Sequence, residues 1–196
     1  TGVGYAYVSE KPANIDALSA PGLLIISFYH DVSIEMANAL ERYVKRGGDI
    51  LWIAPDNNLF KGNLNLGSLT GIEGTESFKT GRLNLQVSDD RFGKSIDTLR
   101  VKISGSSLVA DKADVLVRLD TGEPVVTSYQ KNNEGNVVVF GFQSMTSNSP
   151  QVMQFFKEAI IGLRTNAGVT GPDLMATKRE LWIDWRASHI SELIRG

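Results

Sequence analysis

The hydrophobic pattern is most regular over residues 21–59, where it predicts a strand, a helix and a second strand. Residues 23–27 form a short apolar run, and residues 49–54 form a second run that ends at Pro55. Runs without regular polar alternation are typical of parallel strands that are covered on both faces. Because the crossover between two such strands is normally right-handed and packs on the sheet, this segment predicts an open α/β sheet.

The predicted helix lies between these two strands. Ser33 is a candidate N-cap, and Gly47 and Gly48 follow the last predicted turn, where a glycine C-cap is expected. Apolar residues recur at helical spacing at Ile34, Met36, Ala37, Leu40, Tyr43 and Val44. This spacing predicts that one face of the helix covers the sheet.

Apolar and polar residues alternate over much of residues 83–130, which predicts an antiparallel extension of the sheet. Turn signals at residues 120–122 and 132–135 predict two hairpins, and the second leads into an apolar strand at residues 136–142. By contrast, residues 62–81 are rich in Gly, Asn, Ser and Thr and predict a surface excursion. Residues 11–20 predict a loop or one helical turn.

A second long helix is predicted at residues 150–163, and residues 166–171 have the composition of a linker. This pattern divides the chain into an α/β domain, residues 1–165, and a C-terminal appendage, residues 172–196. The predicted fold is α/β, with a flavodoxin-like (Rossmann-like) mainly parallel sheet, an antiparallel β extension and the C-terminal appendage.

The appendage is strongly apolar for its length and contains Leu181, Trp182 and Trp185. Burying one large apolar side chain is worth roughly 1.5–3 kcal/mol, so leaving this set in water is unfavourable. We expect the appendage to pack against protein, either over the edge of its own sheet or against a second copy by swapping. These three residues are therefore candidate assembly residues.

The composition excludes several classes of partner. The chain has 196 residues, 42% of them hydrophobic and 21% charged, with a formal net charge of -2. Nucleic acid is not expected as a partner, because phosphate binding needs clustered Lys and Arg. No apolar run has the length that crosses a bilayer, so membrane contact is expected only through segments outside this chain. The sequence begins at Thr1 rather than Met, from which we expect a processed or excised fragment.

Three stretches carry recognisable motifs in a fixed order. Residues 23–57 contain a helix whose RGG exit leads into a strand, and residues 114–142 contain hairpins that end in VVVFGF. Residues 146–163 contain a predicted helix that is entered through an Asn-Ser loop. Together these stretches resemble the class I glutamine amidotransferase-like superfamily, and residues 146–163 resemble its final helix. The closer resemblance is to non-catalytic members in the extracytoplasmic parts of prokaryotic membrane proteins. It implies, by analogy alone, an extracytoplasmic domain of a membrane-associated protein.

The resemblance also implies where the catalytic residues of the enzymes stand. A nucleophilic cysteine is expected after the strand at residues 49–54, but residues 54–58 read Ala-Pro-Asp-Asn-Asn and the chain has no cysteine. A His and a carboxylate are expected after residues 137–142, but residues 143–145 read Gln-Ser-Met. Amidotransferase chemistry is therefore excluded on residue type, and a non-enzymatic role is expected.

Polar residues nevertheless follow three of the predicted parallel strands, and the carboxyl ends of such strands meet where open α/β sheets bind ligands. The predicted crevice residues are His30, Asp31, Asp56, Asn57, Asn58, Gln143 and Ser144. One Asp followed by two Asn offers Ca²⁺ or Mg²⁺ too little charge, and turn chemistry explains these residues equally well. We expect neither a metal nor a cofactor at this edge.

The sequence leaves three functions open. The first interpretation is a non-catalytic binding or assembly module of a larger, membrane-associated protein, with a protein partner or self-association. The second is a hydrolase that uses His30 with a Ser or Asp at the same edge. The third is an accessory or oligomerisation domain of a carbohydrate-active enzyme, since related folds serve in oligomerisation there.

Overall fold

The computed structural model has an α/β architecture built around a mixed sheet. It describes residues 5–7, 11–18, 22–27, 32–53, 64–77, 81–87, 98–103, 105–142 and 180–183. Within these residues the helices are α1 (Pro12–Asp16), α2 (Ile34–Lys45) and α3 (Leu64–Thr70). No helix in these ranges is long and apolar enough to span a membrane.

The strands in the same ranges form one sheet of nine strands and one of two. They are β1 (Tyr5–Tyr7), β2 (Leu23–Ser27), β3 (Asp49–Ile53), β4 (Ile72–Ser77), β5 (Gly81–Val87), β6 (Thr98–Ile103), β7 (Ser106–Ala110), β8 (Asp114–Leu119), β9 (Pro124–Gln130), β10 (Asn136–Phe140) and β11 (Glu180–Ile183). The larger sheet has the order β1-β11-β2-β3-β10-β9-β8-β5-β6, and β4 pairs with β7 in the smaller one.

The strands β1, β11, β2, β3 and β10 are parallel neighbours in the larger sheet. Their register places Leu24 beside Ile50, and Ile50 beside Val137. Numbered by chain position, these five strands have the order 1-5-2-3-4, which differs from the 2-1-3-4-5 order of flavodoxin-like sheets. The structure therefore supports the α/β class and a mixed sheet, whereas the hydrophobic pattern does not predict the strand order.

The predicted strand, helix and second strand are observed as β2, α2 and β3. The Ser33 hydroxyl accepts a hydrogen bond from the Met36 backbone N–H at 3.2 Å, as expected of an N-cap. At the other end of α2, Gly47 has a φ of 86°, which lies in the left-handed region that favours glycine. Ile34 is 65% exposed, because at 3.6 residues per turn it lies outside the arc of the buried residues between 36 and 44.

The predicted antiparallel extension is confirmed. Strands β10, β9, β8, β5 and β6 pair with one another in that order, and every one of these pairs is antiparallel. The hairpin between β9 and β10 turns at Asn132 and Asn133, whose φ angles are 48° and 60°. Two consecutive positive φ values are typical of the mirror-image turns that match the strand twist.

The prediction of a surface excursion at residues 62–81 is wrong for the described part of that segment. It contains α3 and β4, and Leu66 and Leu69 are only 0% and 4% exposed. Thr70 donates its hydroxyl to the Leu66 carbonyl at 2.7 Å, so the polar residue is satisfied within the helix. The spaced apolar residues therefore decide the structure here, although the surrounding composition is polar.

Both faces of β2, β3 and β10 are buried, as the sequence predicts. Residues that alternate along these three strands are almost fully buried: Leu24 (0% exposed), Ile26 (2%), Leu51 (0%), Ile53 (5%), Val138 (2%) and Phe140 (0%). On one face the core includes Trp52 together with the buried side of α2. The helix predicted at residues 150–163 lies outside the described residues.

The described part of the appendage is β11, which lies between β1 and β2. Its register places Leu181 beside Ala6 on one side and Leu24 on the other. This strand of the appendage therefore belongs to the same sheet as the α/β domain. The boundary between residues 1–165 and 172–196 stays a prediction, and Trp185 lies outside the described residues.

Candidate functional site

The carboxyl ends of three parallel strands lie side by side at one edge of the sheet. Ser27, the last residue of β2, is the register partner of Ile53, the last residue of β3. Ile53 is in turn the partner of Phe140, the last residue of β10. Ligands of open α/β sheets bind outside this edge, so it is the candidate functional site of the protein.

The residues predicted to line a crevice at this edge lie outside the described part of the chain. They are His30, Asp31, Asp56, Asn57, Asn58, Gln143 and Ser144. The described strands show that the segments carrying them start from adjacent positions in the sheet. The convergence of their side chains stays a prediction, as do the expectations about catalysis, metals and cofactors.

The exit of β10 towards Gln143 is held by backbone contacts. Gly141 donates its N–H to the Val125 carbonyl at 2.9 Å and accepts the Ser106 N–H at 2.8 Å. A Cβ on Gly141 would collide with the Ser106 carbonyl oxygen. Phe142 is 1% exposed and packs edge to face on Phe140, with ring centroids 5.6 Å apart. The strand end that precedes the candidate crevice is therefore closely packed, and its signal in the sequence is the glycine of VVVFGF.

The start of α2 follows the segment that leaves β2 at the same edge. The positive end of a helix dipole attracts anions, but Glu35 already supplies a carboxylate in the first turn. Hydrogen bonds with its own backbone N–H and with Ser33 hold the pKa of Glu35 below its usual value of 4.5. The negative charge of Glu35 and the Ser33 cap therefore serve the helix itself.

A buried polar cluster that the sequence analysis did not predict lies at the opposite edge, where β3 and β10 begin. Asp49 accepts the Asn136 backbone N–H at 2.8 Å, and the Ser128 hydroxyl donates to the Asn136 side-chain oxygen at 2.8 Å. All three residues are at most 4% exposed. Burial, and then the nearby charge of Asp49, raise the pKa of Tyr43. The cluster connects β3, β10 and β9 at the edge away from the candidate crevice, so we assign it a structural role.

We expect Asp49→Ala to lower the free energy of unfolding by about 1–3 kcal/mol, because the buried Asn136 N–H loses its acceptor. The matched control is Asp49→Asn, which retains an oxygen at the same position and should be less destabilising. Urea unfolding followed by circular dichroism measures both variants. Equal losses for the two variants would show that the hydrogen bond to Asn136 does not stabilise this edge.

Comparison with known proteins gives similarities of fold. No known protein-family pattern matches the chain, and a search of curated protein sequences finds no match. The structure is similar to a β-galactosidase from Bacillus circulans sp. alkalophilus, with a TM-score of 0.57 and 19% identity over 76% of this chain and 23% of that chain. A GH42 β-galactosidase from G. stearothermophilus matches with a TM-score of 0.52 and 18% identity over 72% of this chain and 21% of that chain.

The structure is also similar to a putative ThuA-like protein from Parabacteroides merdae, with a TM-score of 0.57 and 13% identity over 76% of this chain and 73% of that chain. ThuA-like proteins have class I glutamine amidotransferase-like folds, which is consistent with the resemblance seen in the sequence. The chain spans less than a quarter of each β-galactosidase. It therefore has a fold similar to that of ThuA-like proteins and of one part of these two larger enzymes.

Proposed function

We propose that this chain is a non-catalytic binding or assembly domain, and that it belongs to a larger carbohydrate-active enzyme. The observation that carries the proposal is the unequal coverage of the structural comparison. The likeness extends over 76% of this chain but over only 23% of the Bacillus circulans β-galactosidase. A fold that forms one part of a larger enzyme chain is suited to joining or positioning the other parts. Because the sequence identity is only 19%, the argument is an analogy between folds.

The residue types at the strand ends support the non-catalytic half of the proposal. The chain has no cysteine, so it lacks the nucleophile of the amidotransferases. The position after β3 carries Asp56, and the position after β10 carries Gln143 and Ser144 instead of a His and a carboxylate. On this proposal the chain has a fold of the class I glutamine amidotransferase-like superfamily and lacks the chemistry of its enzymes.

The second candidate function is a hydrolase that uses His30 with a Ser or Asp. It is favoured by the alignment of the ends of β2, β3 and β10, because His30 follows β2 by three positions. A third setting, an extracytoplasmic part of a membrane protein, rests on the resemblance of the sequence alone. The two candidate functions differ in whether the isolated chain turns over a substrate.

The deciding experiment measures turnover and solution mass on the full chain. We expect no saturable hydrolysis of p-nitrophenyl acetate or p-nitrophenyl β-galactoside, and no change on His30→Ala. Multi-angle light scattering is expected to give a mass of more than one chain at high protein concentration. If the natural chain shows saturable ester hydrolysis, and His30→Ala abolishes it without changing the melting temperature, the proposal is wrong and the chain is a hydrolase.

A further inference from the structure

The last strand of the chain lies between the first two. β1 and β2 are consecutive parallel strands joined through α1, but β11 separates them in the sheet. Neighbouring strands are about 4.8 Å apart, so β1 and β2 bound a slot that is one strand wide. Among the described strands, β1 pairs only with β11. The slot is thus built by the first residues of the chain and filled by residues 180–183.

The middle of the crossover between β1 and β2, at α1, is held by contacts that do not involve β11. Arg42 donates to both carboxylate oxygens of Asp16, at 2.9 and 2.7 Å, and Arg46 donates to the Asp16 carbonyl at 2.9 Å. The hydrogen bond with Arg42 also holds the pKa of Asp16 below its usual value of 3.8. Arg42 lies in α2 and Arg46 is its C-cap residue, so α1 is tied to the helix that follows β2.

Without β11, β2 would become an open edge of the parallel part of the sheet. Leu23, Leu24, Ile25 and Ile26 are at most 2% exposed with β11 in place. If β11 left, the backbone groups of β2 that face it would lose their hydrogen-bond partners, and such an edge is a template for pairing with another strand. The slot therefore requires a parallel strand, and the hydrogen bonds to the backbone are the same whichever chain supplies it.

We propose that the slot between β1 and β2 also accepts the β11 strand of a second copy of this chain, so that two copies exchange their C-terminal strands. Residues 143–179 lie between Phe142 and β11, and with a helix at residues 150–163, as the sequence predicts, a segment of that length still spans up to roughly 100 Å. When two copies exchange their β11 strands, every strand pairing of the single chain is preserved. Each copy then fills the slot of the other, so the dimer is closed. The inference rests on the proposed assembly function, because other parts of a larger assembly raise the local concentration of the second copy.

Cysteine cross-linking of the full chain tests this exchange, and the natural chain has no cysteine to interfere. Ala6 and Leu181 are register partners on β1 and β11, and adjacent strands lie within the Cα separation of about 4.4–6.8 Å that a disulfide needs. The single variants Ala6→Cys and Leu181→Cys are mixed, partly unfolded, refolded together and oxidised. The expected product is a reducible heterodimer of twice the monomer mass.

The matched control pairs Ala6→Cys with Ile183→Cys, which is displaced by two positions along β11 and should not cross-link. In the double variant Ala6→Cys/Leu181→Cys, a disulfide confined to single chains would overturn exchange, and the absence of any disulfide would overturn the β1–β11 pairing itself. Light scattering on the natural chain separates the two proposals. A multimeric mass with only intrachain disulfides rejects strand exchange and leaves the assembly function standing, whereas a monomeric mass contradicts both.

Discussion

Truncation of Ile50 to alanine is expected to lower the free energy of unfolding by about 2–5 kcal/mol. Ile50 is 0% exposed, and its neighbours in register are Leu24 on β2 and Val137 on β10. Removing the side chain leaves a cavity in a sheet that is covered on both faces. Denaturant unfolding of the full chain measures the loss.

The matched control is the same substitution at Ile34, which is 65% exposed at the start of α2. Ile34→Ala should change the free energy of unfolding by no more than about 0.5 kcal/mol, because an exposed site loses little burial. A loss below about 1 kcal/mol for Ile50→Ala, or equal losses at both positions, would contradict the central position of β3.

Gly135→Ala is expected to lower the free energy of unfolding by about 3 kcal/mol or more, because it forces backbone against backbone. A Cβ at this position would collide with the Gly48 carbonyl oxygen and lie 2.6 Å from the Gly48 carbonyl carbon. Gly135 also donates its N–H to the Val44 carbonyl at 2.9 Å. The hairpin before β10 and the end of α2 therefore have to separate to admit one methyl group.

Gly74→Ala is the control for this prediction. A Cβ on Gly74 meets nothing within 4 Å, so alanine there should be neutral or slightly stabilising, by up to about 0.5–1 kcal/mol. Thermal unfolding of the two variants beside the natural chain is a sufficient measurement. Similar melting temperatures for Gly135→Ala and Gly74→Ala would show that the hairpin does not pack on Gly48 as described.

Both predictions concern the frame behind the candidate crevice. Ile50 supports β3, which precedes Asp56, and Gly135 directly precedes β10, which ends shortly before Gln143 and Ser144. A stable frame is required whether this edge binds a partner or a substrate. The two variants therefore test the sheet on which any function at this edge depends, and they do not distinguish between the candidate functions.

The sequence by itself was sufficient where the deciding contacts are close along the chain. The cap of α2 joins Ser33 to Met36, three residues apart. The hairpin before β10 turns at Asn132 and Asn133, two residues that tolerate positive φ. Apolar runs at β2, β3 and β10 also predicted their burial, because polar side chains are unfavourable on strands covered on both faces.

Local composition was misleading where a few apolar residues outweigh many polar ones. Leu66, Leu69 and Ile72 are buried although residues 62–81 are rich in Gly, Asn, Ser and Thr. The opposite error occurred at Ile34, whose apolar side chain is exposed because the buried arc of α2 does not include it. Burial depends on what packs against a residue, and a single chain segment does not contain that information.

Only the tertiary structure decided the strand order and the polar pairing at the far edge. Leu181 lies beside Leu24, and the Asn136 N–H reaches an Asp49 carboxylate 87 positions away in sequence. Backbone hydrogen bonds between parallel strands are nearly independent of residue type, so the sequence of β11 does not specify its neighbours. The choice depends on which other strands of the folded chain offer an edge for pairing. The candidate crevice shows the same division. The sequence by itself determined which polar residues follow β2, β3 and β10, but only the tertiary structure decided that these three strands end side by side.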